Sequence, residues 1–309
     1  MMKHNLTFPA LTLAGGAAAF VLRLLQVRTS FEVETGLPIP GNPWGTALIV
    51  LLLLLAAALV LLARKLPQES AALGFPQSFS TSSTGILTIL ILGVFLLGAS
   101  GLLDLFSGLR SGVSMPADAY AITADGISAD GFSAKEHLVL GLLSLLSAAS
   151  LFPAAAACRR PGSHESSDTP RKTVQGSLLL VPVVCFVIRL VLVYRVDSIN
   201  PVLSDYYLEL LALVFLTLGF YRLSSFAFGA GRNGLFALYA GLAVILCLAE
   251  LADGFGSSQL PITLFHAGGA VTLLGFLLLR MGTPIRTGRT RRRRVQPDEE
   301  APAAPSDNS

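Results

Sequence analysis

The chain has 309 residues, of which 53% are hydrophobic and only 13% charged, and its formal net charge is +3. Soluble domains carry about 25% charged residues, so this composition excludes an ordinary cytosolic enzyme and an intrinsically disordered protein. The apolar residues fall in long blocks, and from 47 to 63 no polar side chain occurs.

A membrane-spanning helix needs about 20 predominantly apolar residues. Eight such segments are predicted in chain order, at 6–26, 44–63, 85–106, 137–158, 174–196, 205–228, 235–252 and 262–281. The first resembles a secretory signal peptide, with Ala17-Ala18-Ala19 after an apolar run. The run continues through Val21-Leu22 and Leu24-Leu25, however, so it is read as a retained helix. In the sixth, Glu209 and Arg222 leave only 210–221 uninterrupted, which makes it the segment most open to a re-entrant reading.

Orientation follows from the positions of Lys and Arg in short connections. Lys3, Arg64, Lys65, Arg159, Arg160, Arg171, Lys172, Arg222, Arg232 and Arg280 alternate with segments holding Glu32, Glu34, Asp118, Asp125, Asp130, Glu136, Asp197 and Asp205. Both termini are therefore expected on the cytoplasmic side. Trp44, Tyr194, Tyr206 and Tyr207 fall at the opposite interface, where amphipathic rings prefer to lie. Cys158, Cys185 and Cys247 lie within or beside spans and read as small packing residues, without disulfide or zinc spacing.

The fifth span repeats the first. Phe20-Val21-Leu22-Arg23-Leu24-Leu25 matches Phe186-Val187-Ile188-Arg189-Leu190-Val191, and a second arginine follows each (Arg28, Arg195). Leu102-Leu103-Asp104-Leu105-Phe106 closes the third span, as Leu251-Ala252-Asp253-Gly254-Phe255 closes the seventh. The fold class expected is all-α: a polytopic membrane helix bundle of two parallel four-helix repeats, related by an axis along the membrane normal. Its units are 1–158, a cytoplasmic linker at 159–172, a second repeat at 173–281 and a disordered tail at 282–309.

Ionisable residues inside spans are costly and usually face a bundle interior or water. Here they are Arg23, Asp104, Arg189, Glu209, Glu250 and Asp253, all toward the outer end of their helices. They read as interfacial anchors, as ion pairs clamping the repeats, or as a small-solute site in an outward-facing vestibule.

Gly98-Ala99-Ser100-Gly101 resembles the GxSG nucleophile motif of rhomboid intramembrane serine proteases, and His266-Ala267-Gly268-Gly269 is similar to the histidine helix of that family. The resemblance covers these two patches. It implies Ser100 as nucleophile and His266 as its base, which requires the third and eighth spans to touch. No lysine lies in any span, which excludes a retinal Schiff base. The Gly-rich stretches lack a phosphate-binding loop's setting, and no cofactor or metal is expected.

The loop at 109–136 carries Asp125-Gly126 and Asp130-Gly131, which favour turns. In the tail, Arg286, Arg289, Arg291, Arg292, Arg293 and Arg294 are expected to bind anionic lipid headgroups rather than nucleic acid. The functional expectation is a non-enzymatic, multi-pass protein of a bacterial inner membrane that binds or passes a small solute. The alternative is a structural or assembly protein, and an intramembrane protease is the third reading.

Overall fold

The computed structural model describes residues 6–30, 39, 42–66, 75–81, 83–113, 133–159, 177–197, 206–254 and 260–282. The helices are α1 Thr7–Thr29, α2 Pro43–Lys65, α3 Phe75–Ser78, α4 Thr84–Val113, α5 Ala134–Ala157, α6 Leu180–Asp197, α7 Tyr206–Ser225, α8 Asn233–Glu250 and α9 Leu260–Gly282. Among the described residues there is no strand, only an isolated bridge between Thr81 and Arg159.

Local chemistry sets several boundaries. The Asn42 side chain accepts from the Trp44 N–H at the start of α2, where Pro43 takes the first helical position, and a proline is tolerated there because its missing N–H would have no helical partner. A reciprocal Ser133–Glu136 capping box opens α5, satisfying two otherwise orphaned amides.

Seven of the helices are long and apolar enough to cross a membrane, the pattern of a multi-pass membrane protein. Of the eight predicted spans the fifth is not among the seven; it corresponds to α6, 18 residues long with Arg189, Arg195 and Asp197 in its second half. The sixth span, open to a re-entrant reading, is the continuous helix α7, since its charges sit near its two ends rather than interrupting it. A short helix that the sequence did not suggest, α3, lies between α2 and α4. The third span also runs further than expected. α4 continues to Val113, because falling hydropathy does not break helical hydrogen bonding and Gly108 keeps it packed on Ala134 and Leu138 of α5.

Helix directions alternate: α1, α4, α6 and α8 run one way, and α2, α5, α7 and α9 run back. Six helices close a ring in the order α4, α5, α6, α7, α8 and α9, with α1 and α2 packed outside it on α8. α7 and α9 also touch across the ring, so its middle is filled. There Phe186 meets Phe220 and Phe265 at ring-centroid distances of 5.0 and 5.2 Å.

Lipid supplies no hydrophobic drive between helices, so close backbone approach has to hold them. α4 achieves this on two sides. A Cβ on Gly101 would stand 2.8 Å from the Gly141 carbonyl of α5, and one on Gly268 of α9 would stand 2.6 Å from the Leu97 amide. Large apolar side chains such as Ile49, Leu53, Leu54 and Leu61 of α2 point outward, as a lipid-facing helix requires.

Candidate functional site

Arg23 lies on the stripe that packs α1 against α8. Phe8, Thr12, Gly15, Gly16, Ala19 and Arg23 recur at helical spacing and are all buried. The same periodicity that builds the helix contact therefore carries the guanidinium inward. Asp253, in the turn after α8, receives it. Arg23 Nε donates to Oδ1 at 2.8 Å and to Oδ2 at 3.1 Å, and Nη2 donates to Oδ2 at 2.8 Å. Nη1 donates to Gln26 Oε1 at 3.1 Å. The arginine is 3% exposed and the aspartate 25%.

The second arginine meets a different environment. Cys185, Phe186, Arg189 and Val193 form the buried stripe of α6. Arg189 lies over the Phe265 ring, its guanidinium carbon 3.9 Å from the centroid, where the ring's negative face attracts a cation. Its Nη1 stands 3.6 Å from Asp104 Oδ2, an ion pair longer than a hydrogen bond. Asp104 Oδ1 is 3.5 Å from His137 Nδ1. All three polar residues are buried, so α4, α5, α6 and α9 each bring one group to the interior of the ring.

A gap of about 140 Å³ adjoins this cluster, bordered by Ser144, Ser147, Cys185, Phe186, Arg189 and Phe265, and no part of it is wide enough to seat a water molecule. Glu209 is half-buried in the first turn of α7 and Glu250 in the last turn of α8, at the same end of the bundle. Arg286, Arg289, Arg291, Arg292, Arg293 and Arg294 lie outside the described residues, as do the Asp-Gly pairs and most of the linker.

α4 and α9 do touch, along most of their length. Ser100 Oγ, however, donates to the Pro261 carbonyl at 2.8 Å. His266 Nδ1 is 3.1 Å from the Ile262 carbonyl, and its Nε2 has no hydrogen-bond partner among the described residues. The two side chains are thus not hydrogen-bonded to each other. The glycines of the two motifs have packing roles, Gly101 against α5 and Gly268 against α4.

Several polar residues of consequence were not singled out by the sequence reading. His137, the first residue of the fourth predicted span, is buried beside Asp104. Arg280, counted as a flanking cation, is buried as well. Its Nε donates to Asn233 Oδ1 at 2.8 Å and its Nη1 to the Ser78 carbonyl at 2.9 Å, tying α9, α8 and α3 together. The signal was available, because Gly269, Leu273, Phe276 and Arg280 repeat at helical spacing on one buried face of α9.

Comparison of the chain with known protein families, with curated proteins and with solved structures finds no match.

Proposed function

We propose that this chain is a structural, non-enzymatic membrane protein in which buried charges clamp two parallel four-helix halves, rather than a conduit for solute. The observation that carries this reading is the crosswise pairing of its ions. The arginine of the first span meets the aspartate that follows the seventh at 2.8 Å, and the arginine of the fifth stands 3.6 Å from that of the third. Each half contributes the cation of one pair and the anion of the other. In this reading the chain has eight spans, with α6 carried across by its neighbours. It sits in a bacterial inner membrane with both termini cytoplasmic, and the basic run of the tail rests on anionic headgroups.

The narrowness of the gap beside Arg189 supports a clamp over a passage, and native Cys185 on its wall provides the test. In intact membranes a water-soluble methanethiosulfonate reagent is expected to leave Cys185 unmodified. Rapid modification there would establish a water path beyond the arginines and overturn the clamp reading in favour of solute binding.

The solute-binding reading keeps one specific support. The Arg189–Asp104 pair is looser than the Arg23–Asp253 pair and has Phe265 and the gap beside it. Under that reading the buried ring interior, not the first arginine, holds the ligand.

A further inference from the structure

Among the described residues the acids are confined to one end of the bundle, where cations such as Arg28, Lys135 and Arg195 accompany them. Every described Asp and Glu (Asp104, Glu136, Asp197, Glu209, Glu250 and Asp253) lies toward the end where α1, α4, α6 and α8 finish. The opposite end carries Arg64, Lys65, Arg159, Arg222 and Arg232 and, among the described residues, no acid.

The fold gathers three of these cations at one corner. The first turn of α8 abuts the last turn of α2, such that a Cβ on Gly234 would stand 2.7 Å from the Ala63 carbonyl. Arg64 and Lys65 directly follow Ala63, and Arg232 precedes Gly234 by two residues. All three are exposed. Along the α2 flank leading to this corner, Leu53, Leu54 and Leu61 are exposed and apolar. A cationic corner above an apolar flank matches an amphiphile, a phosphate head on acyl chains, better than it matches a soluble anion.

We propose that the α2–α8 corner, through Arg64, Lys65 and Arg232, is a binding site for the phosphate headgroup of an anionic phospholipid whose chains lie along α2. Arginine meets phosphate through two parallel N–H groups. Each Lys or Arg near an anionic bilayer surface strengthens its attraction to that surface about fivefold. The site rests on the bilayer-spanning reading above, but not on the clamps or on the duplication.

The test uses the full chain in nanodiscs of phosphatidylcholine with one-fifth phosphatidylglycerol. The lipid retained by the protein after mild delipidation is weighed by mass spectrometry. Phosphatidylglycerol is expected to be enriched. With the tail arginines Arg286, Arg289, Arg291, Arg292, Arg293 and Arg294 changed to Gln in every chain compared, so that the tail holds no anionic lipid of its own, the triple variant Arg64→Gln, Lys65→Gln, Arg232→Gln is expected to lower that enrichment at least fivefold. Arg64→Lys with Arg232→Lys should retain most of it, and Lys135→Gln with Arg195→Gln, at the other end of the bundle, should leave it unchanged. Equal enrichment in the triple variant and the chain altered only in its tail overturns the site, as does an equal loss in the two Gln variants. Failure of the unaltered chain to enter the discs would instead overturn the bilayer reading, and the site with it.

Discussion

Arg23 holds Asp253 with two nitrogens on two oxygens across 230 residues of sequence. This pair fastens α1 to the end of α8, and its geometry is that of a fork on a carboxylate, the strongest form such a contact takes. Breaking one side of a buried pair costs about 3–5 kcal/mol, because the remaining charge is left uncompensated. Asp253 is one-quarter exposed, which moderates the loss. Arg23→Leu is expected to lower stability by about 2–3 kcal/mol, read as a fall in the thermal midpoint in detergent. The double variant Arg23→Leu, Asp253→Leu should recover part of that loss. If it is no more stable than the single variant, the pair is not what holds α1 in place.

Arg189→Leu should be the more damaging of the two arginine changes. It leaves Asp104 fully buried beside His137 and removes the cation stacked on Phe265. Arg189→Lys is expected to recover little, since an ammonium lacks the planar face that rests on the ring. Comparing the yield of folded protein from size-exclusion chromatography for the two variants checks this.

The close approach of α4 to α5 predicts contrasting outcomes for three glycines. Gly101→Ala and Gly141→Ala each force a methyl group against backbone less than 3 Å away, and overpacking of this kind costs about 1–3 kcal/mol. Gly85→Ala, with nothing within 4 Å, should be neutral or stabilising by about 0.5 kcal/mol in a helix. Equal midpoints for all three would mean that α4 and α5 sit further apart than these contacts require.

Arg280→Met is expected to loosen α3 before it unfolds the bundle. The Ser78 carbonyl loses a donor and Asn233 a partner, while Phe75 and Phe79 still pack on Phe276 at 6.0 and 5.7 Å. Hydrogen exchange of residues 75–81 should quicken, with the ring helices unchanged. Uniform quickening across the bundle would make Arg280 a global rather than a local tie.

Ser100→Ala removes one hydrogen bond to the Pro261 carbonyl, a loss of about 1 kcal/mol. No change in the cleavage of a helical reporter substrate is expected. Loss of a measurable cleavage activity would restore Ser100 as a nucleophile.

The helical class and most of the span positions were legible because an apolar block of span length has few other uses. The depth of the charges could also be read, since the position of Arg23 in its run fixes its level in the helix. Partners could not. Which arginine meets which aspartate depends on the ring order of the helices, and the connections between them carry little information about that order. Arg280 shows the limit well. Its position beside a basic tail suggests an exposed flank, and only its place on the buried face of α9 reveals the contact with α3. The serine and histidine motifs fail for a related reason, as small residues recur wherever helices approach closely.

The span of the Arg23–Asp253 contact bears on how the protein is made. At synthesis rates of roughly 5–20 residues per second, α1 enters the bilayer on the order of ten to fifty seconds before its aspartate leaves the ribosome. For that interval the nascent first helix needs a substitute counter-ion, from a lipid phosphate or from the insertion machinery. A ribosome stalled after α7 would strand it, so prematurely terminated chains should be marked for proteolysis by an exposed guanidinium rather than by any unfolded loop.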